Sequence, residues 1–258
     1  MGSQTSIQLL WTGGWDSTFR LLRLLLELQR PVTPIYLQDD TRPSQQTEIE
    51  TMDRIRAALA EMHPHTRALL QPTQFARVAD IAPDAEIERA AGRLALKYGI
   101  GSQYAWLARF CRDRGLRDIE LSAECTRHGA SAVLLDNVVP VQSPDGEATH
   151  RIPADAADQD AYIVFGAFSY PQITITREDM IATVGRNGWD ALMGMTWFCH
   201  RPARGQPCGL CNPCLYAIEQ GFGWRVPRWR RALSVVYRTT LLPLRKLARQ
   251  RLLQMRAR

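Results

Sequence analysis

No apolar run in this 258-residue chain approaches the ~20 residues needed to cross a bilayer. The longest uncharged stretch, residues 161–176, is interrupted by Pro171 and several polar side chains. The N-terminus lacks the basic start and apolar block of a signal peptide, so export is not expected and a reducing cytoplasm is the predicted compartment. No Gly-Lys-Ser/Thr follows the glycine pair at 13–14, which excludes a Walker loop there, and no GxGxxG dinucleotide fingerprint occurs at that turn. Internal repeats are also missing. Acidic residues are absent from residues 225–258, where ten Arg and one Lys give +11, so the rest of the chain sums to −5 against a total of +6. An acidic body with a basic tail makes the overall charge a poor guide to the site.

What remains is the composition of an ordinary globular protein, 45% hydrophobic and 22% charged. Strand and helix signals alternate through the first two-thirds, predicting an α/β fold with a parallel sheet and helical crossovers. Residues 7–11 read as a first strand and 17–29 as a helix whose leucines face both the sheet and another element. A strand over 32–37, a helix over 43–62, a weak strand over 67–70 and a helix over 103–114, stopped by Gly115, follow. Residues 119–123 form another strand, 145–160 a loop with five acidic residues, and 162–168 with 173–176 a last strand or hairpin. Cys111 and Cys125 are expected to be buried structural thiols.

Two motifs carry chemistry. Thr12-Gly13-Gly14-Trp15-Asp16-Ser17-Thr18 lies between the first strand and helix. Glycines there let backbone N–H groups turn inward, the helix N-terminus adds positive potential, and the Ser17 and Thr18 hydroxyls suit phosphate oxygens, with Ser17 also a candidate cap. Asp16 suits an Mg2+ bridge or an orienting hydrogen bond. A tight turn that merely needs glycine is the plain alternative.

The second motif is Cys199-x8-Cys208-Gly-Leu-Cys211-Asn-Pro-Cys214, four of the six cysteines within 16 residues. Cys-x2-Cys places two thiolates on one knuckle, and four sulfurs complete a closed tetrahedral shell, predicting structural Zn2+. An iron–sulfur cluster also accepts four cysteines.

The first motif, strand then Thr-Gly-Gly-x-Asp-Ser then helix, resembles the PP-loop of the ATP pyrophosphatases. The resemblance implies a Rossmann-like, adenine nucleotide α-hydrolase type of fold and cleavage of ATP between its α and β phosphates. Thr196-Trp197-Phe198-Cys199, the cysteine cluster and Gly221-Phe222 are similar to the zinc segment of the 7-cyano-7-deazaguanine synthases of queuosine biosynthesis. Residues 173–181 also match in outline, with Arg177 where Lys is usual.

By that resemblance Thr12, Gly13, Gly14, Asp16, Ser17, Thr18 and Gln38 bind ATP with Mg2+, and Asp16, Ser17 and Arg177 are catalytic. The family's Tyr- and Asp-rich stretch after the fourth strand has no counterpart, so a different acceptor is implied. Glu124, Arg127 and His128 are the candidate acceptor residues. The expected substrates are a small carboxylate or a modified macromolecular acceptor, with ammonia or an amine as donor; a homodimer is also considered.

Three segments are expected: a PP-loop ATP-binding α/β domain over 1–195, a four-cysteine zinc segment over 196–222, and a basic amphipathic tail over 223–258 suited to an anionic partner or membrane surface. Two other functions stand beside the ligase: a PP-loop nucleic-acid modifier (tRNA thiolation or amidation), and a non-catalytic nucleotide-binding scaffold.

Overall fold

Leu9 and Leu10 of β1 (Ile7–Leu10) belong to separate hydrophobic cores, and so do Tyr36 and its neighbours Ile35 and Leu37 on β2 (Val32–Gln38). Period-two sorting of this kind is what a strand requires when both sheet faces are covered. The computed structural model describes residues 5–143 and 146–241. They fall into two compact units, one built from residues up to 40 with 48–196, the other from 41–47 and residues from 197 onward.

In the first unit the chain runs β1, α1 (Trp15–Leu22), a π-helical turn over Arg23–Glu27, β2 and α2 (Gln45–Met62). Then come α3 (Thr66–Leu69), β3 (Gln74–Arg77), α4 (Ala85–Tyr98), α5 (Gln103–Asp113) and β4 (Ile119–Glu120). The remaining elements are α6 (Gly129–Asn137), β5 (Val139–Gln142), β6 (Ala148–Arg151), α7 (Gln159–Phe165), β7 (Phe168–Ser169), α8 (Arg177–Asn187) and α9 (Asp190–Gly194). The second unit carries α10 (Asn212–Glu219) and α11 (Arg228–Val236), the latter continued by a π-helical turn over Tyr237–Leu241.

The central sheet has five parallel strands in the order β3-β2-β1-β4-β7. Leu10, Ile35, Leu37, Ile119 and Phe168 pack with α4, α5, α6 and α7. Leu9, Trp11, Val32 and Tyr36 pack with α1, α2, α8 and α9. From β1 the chain builds outward through β2 and β3, then returns to place β4 and β7 on the other side. The gap between the C-terminal ends of β1 and β4 is therefore a topological switch point, where open parallel sheets bind ligands. Among the described residues no helix is long and apolar enough to cross a membrane.

A buried ion triad ties α1 to the sheet. Arg20 is fully buried and donates from Nε and Nη2 to Glu120 at 2.7 and 2.6 Å, and from Nη1 and Nη2 to Glu147 at 2.7 Å each. Burial opposes the charged guanidinium, but the hydrogen bonds to Glu120 and Glu147 prevail and raise its pKa further.

Several sequence expectations change. Residues 67–70 are not a strand: the Thr66 hydroxyl donates to His63 O, a helical turn forms, and only Leu70 bridges Val32. The third strand is β3, polar and largely exposed as an edge allows. Residues 162–168 are helical through Phe165, because the Asp158 carboxylate accepts from Ala161 N and starts α7; only Phe168 and Ser169 are extended. The predicted loop over 145–160 contains β6, paired antiparallel with β5. The strand at 119–123 shortens to two residues. Cys111 is buried as expected, whereas Cys125 is only half-buried.

Candidate functional site

The turn after β1 places Gly13 at φ +67°, and a Cβ there would lie 3.0 Å from Thr51 Cγ2. A side chain at position 13 would be strained by this conformation and would need Thr51 to give way. Gly14 is extended and serves as the N-cap of α1, with no side chain capping the helix. The first turn of α1 therefore opens at the switch point with the positive end of its dipole there. The expected cap by Ser17 is corrected: Ser17 lies inside the first turn, and its hydroxyl donates to Gly14 O at 3.4 Å. Thr18 turns into the interior, fully buried, with its Oγ1 accepting from Trp11 Nε1 at 3.1 Å. Thr12 is exposed on the loop, and Gln38 is half-buried at the C-terminal end of β2, in register with Arg77.

Asp16, Glu124 and Arg177, with Glu124 108 residues after Asp16 and Arg177 53 after Glu124, meet here. Arg177 Nη2 lies 3.2 Å from Asp16 Oδ1, and Arg177 Nε lies 2.8 Å from Glu124 Oε2. These separations suit ion pairing, yet among the described residues Asp16 Oδ1, Glu124 Oε2 and Arg177 Nε are all buried without a hydrogen-bond partner. The charges are close but misaligned. One oxygen of Asp16 is sealed in while about a third of the side chain (34%) stays exposed. Desolvation of that carboxylate, only partly offset by the Arg177 charge and reinforced by Glu124, raises its pKa to about 6.

The local sequence makes Arg177 an odd choice. Thr176 and Asp179 form a reciprocal capping box at the start of α8, with Asp179 N donating to Thr176 Oγ1 at 3.1 Å and Thr176 N to the Asp179 carboxylate at 3.2 Å. That puts a guanidinium at the positive end of a helix, which the macrodipole disfavours. Asp16 and Glu124 compensate it from other elements. A local rule broken in this way, with partners supplied from afar, is what functional or strained positions show.

Three more side chains complete the surroundings. Gln172 is fully buried; its Nε2 donates to Asp16 O at 3.3 Å, and its Oε1 has no hydrogen-bond partner among the described residues. The Trp15 ring lies 5.7 Å from the Arg177 guanidinium carbon, within cation–π range. The Tyr104 hydroxyl is pushed up to about 12, chiefly by burial, with the Asp16 charge adding to it. None of the three carries a recognisable spacing, and Gln172 is 156 residues from Asp16.

The other two acceptor candidates fall outside the cluster. Gly129, at φ +57°, turns the chain into α6. Arg127 is exposed and reaches Asp136 at 3.5 Å, and His128 is exposed at the N-cap of α6. Of the three, only Glu124 joins the charge cluster. A groove of about 520 Å3 lined by Lys97, Tyr98, Asp136, Asn137 and residues 157–160 lies elsewhere in this unit and includes no member of the cluster.

In the second unit, the sulfurs of Cys199, Cys208, Cys211 and Cys214 all lie within 4.8 Å of one another. Cys208–Cys214 and Cys199–Cys211 are each separated by 3.9 Å. Tetrahedral Zn–S bonds of about 2.3 Å put sulfurs about 3.8 Å apart, so the donor set fits zinc. Backbone N–H groups already point at sulfur, from Cys208 to Cys199 Sγ at 3.2 Å and from Leu210 and Cys211 to Cys208 Sγ at 3.4 and 3.3 Å. Hydrogen bonding with Cys199, then Cys214, holds the Cys211 thiol below its usual range, while the contact with Cys211 pushes Cys199 up to about 12. Four crowded thiols cannot all ionise unless a cation joins them. These cysteines can hold a metal such as zinc.

The loop is braced from behind. Gly209 adopts φ +78°, and a Cβ there would meet Arg230 O at 2.9 Å. Buried Arg230 donates to the carbonyls of Ala203, Gln206 and Pro207 at 2.7–3.0 Å.

The chain matches no protein-family model and no curated protein.

Proposed function

We propose that this protein is an ATP-dependent, C–N bond-forming ligase of the PP-loop type, resembling 7-cyano-7-deazaguanine synthase but acting on a different acceptor. In this reading the sheet is the Rossmann-like, adenine nucleotide α-hydrolase type, the metal is structural zinc, and the enzyme works in the cytoplasm. The observation that carries it is the convergence at the switch point: a left-handed Gly13, an uncapped α1, and Asp16, Glu124 and Arg177 gathered around them.

Each residue has a task. Gly13, Gly14 and the first-turn amides of α1 cradle the outer phosphates, helped by Thr12 and Ser17; Gln38 faces the nucleotide from the next strand. Thr18 supports the loop from inside through Trp11. Asp16, ionised above a pKa near 6, holds Mg2+, which screens phosphate charge when bound. Arg177 sits where negative charge gathers as a substrate carboxylate oxygen attacks the α-phosphorus and pyrophosphate leaves. Ammonia or an amine then adds to the acyl-adenylate carbonyl, loses a proton and expels AMP, giving an amide. Where ammonia is the donor, a second adenylation, of the primary amide's oxygen, releases pyrophosphate, and loss of AMP and the nitrogen's protons gives a nitrile. Glu124 is placed to orient the acceptor or the incoming nitrogen.

A thiolating enzyme fits less well. Burial pushes the Cys111 thiol up to about 12, which makes it a poor nucleophile at neutral pH. The test is incubation with Mg2+, ATP, ammonia and a panel of carboxylates, with AMP, pyrophosphate and ADP measured. Acceptor-dependent AMP and pyrophosphate are expected. Release of ADP, or nucleotide binding with no turnover across the panel, would defeat the ligase reading.

A further inference from the structure

Residues 197–241 of the second unit carry seven arginines and no lysine, with Glu219 alone against them, so this stretch has a formal charge of +6. Zn2+ on four thiolates adds −2 and still leaves +4. Two of the seven are committed inside the unit. Buried Arg230 donates to the carbonyls of Ala203, Gln206 and Pro207, and Arg238 pairs with Glu219 at 2.6 Å. Arg201, Arg204 and Arg228 are exposed and make no ion pair among the described residues.

Local structure gathers these free charges around indole rings. Arg204 at φ +53° and Gly205 at φ +69° form a two-residue turn, closed by backbone hydrogen bonds of 3.0 and 3.2 Å between Ala203 and Gln206. Arg204 is therefore at the tip. The Arg230 guanidinium holds the base of that turn and also lies 4.7 Å from the Trp229 ring. Arg228 and Trp229 open α11, which has no side-chain cap, so the positive end of its dipole adds to their field. Arg231 follows within the first turn of α11. Its Cδ is within 3.6 Å of where a Cβ on Gly223 would stand, beside Trp224, and its Nε is buried with no hydrogen-bond partner among the described residues. Trp224 and Trp229 are both more than half exposed.

We propose that the Arg204 turn and the start of α11 bind RNA at an unpaired loop. Guanidinium groups take phosphate and 2′-hydroxyl oxygens, and an exposed indole face takes an unstacked base. Spare charge of one sign repels a second copy of this surface and calls for a polyanion. The tryptophans select among polyanions: base faces are already stacked in a duplex, whereas loops of folded RNA present them. A lipid bilayer fits less well, because these residues sit on a tight turn, on the 3₁₀ turn over Phe222–Arg225 and at a helix start, not along one amphipathic face. The surface is independent of the chemistry at the switch point.

The test uses the full chain and the fluorescence anisotropy of a labelled RNA hairpin with an unpaired loop of about eight nucleotides. The duplex stem alone, a DNA hairpin of the same sequence and phosphatidylglycerol-containing vesicles serve as competitors. The RNA hairpin is expected to bind, and each competitor to displace it less well than unlabelled RNA hairpin does. R201A/R204G/R228A keeps the left-handed turn and is expected to lower the slope of log affinity against log salt by about 2, the value for three phosphates on a single strand. W229A changes no charge and is expected to weaken binding about tenfold with the slope unchanged. Both variants alter exposed side chains and should keep the wild-type circular dichroism. An unchanged slope in the first variant, or unchanged affinity in the second, would overturn the proposal. So would absence of RNA binding, or displacement by duplex, DNA or vesicles as effective as by the RNA hairpin itself.

Discussion

The first unit contains two clusters of the same composition, one arginine between two carboxylates, and they are built in opposite ways. Both draw on α1, one turn apart, at Asp16 and Arg20, and both draw on β4 or the chain just after it, at Glu124 and Glu120. In the inner cluster Arg20 spends its donors on Glu120 and Glu147 in four hydrogen bonds of 2.6–2.7 Å. In the outer cluster Arg177 is near Asp16 and Glu124, but the closest oxygens and Nε make no hydrogen bond among the described residues. A fully satisfied buried triad is a fastening; a starved one at a sheet's switch point is where we propose that a ligand binds. Satisfaction, rather than charge or burial, separates the two.

Variants can break that distinction, and the largest effect is expected inside. R20A leaves buried Glu120 and half-buried Glu147 without a counter-charge and should cost about 3–5 kcal/mol in denaturant unfolding. R20M/E120Q/E147Q should recover most of that loss; if R20A is harmless, the inner cluster is not a fastening. The outer cluster should answer the other way. R177A is expected to lower acceptor-dependent AMP release about 10²–10³-fold, as loss of a charge-stabilising donor does. Its unfolding free energy should fall by less than that of R20A, by about 1–3 kcal/mol, because the buried charges it leaves behind were never hydrogen-bonded to it.

Titration sharpens the contrast. Burial lifts Asp16 to about 6 from an ordinary 3.8, so the native state holds its proton more tightly than the unfolded chain does. Its contribution to stability therefore falls as pH rises from about 4 to about 6 and levels off above that. D16N should remove that decline, seen as urea midpoints that converge with wild type at pH 4 and exceed it at pH 7. Parallel midpoints across the range would mean that the carboxylate is not strained. The smallest effect is reserved for R177K. A lysine keeps the charge but cannot fork toward two carboxylates while lying over Trp15, so AMP release should fall by about tenfold or less.

What the sequence disclosed depended on how local each signal was. Gly13-Gly14-x-Asp16-Ser17 and Cys208-x2-Cys211 could be read because their geometry is closed within a few residues. Alternating strand and helix signals predicted a parallel sheet with helical crossovers, and the structure has one. β3 was hidden because an exposed edge strand needs no apolar alternation, and Phe75 at its centre is half exposed. The uncharged run over 162–168 suggested a strand, yet the cap that made it a helix lay at Asp158, in a stretch dismissed as loop. Neither ion cluster left a local trace: Arg20 is 100 residues from Glu120 and 127 from Glu147. Glu124 was recognisable from its place after a strand. Arg127 and His128 shared that place in sequence, but the turn at Gly129 carries them elsewhere.

Arg230 has one more consequence. Its side chain stitches three carbonyls of the cysteine-bearing loop to α11, and its own backbone presses on the bare Cα of Gly209. Stripping the metal should thus do more than empty four thiolates: slackening the knuckle loosens the seat of α11, so chelator-treated protein should lose helical ellipticity and become open to proteases around 228–236 before its central sheet unravels.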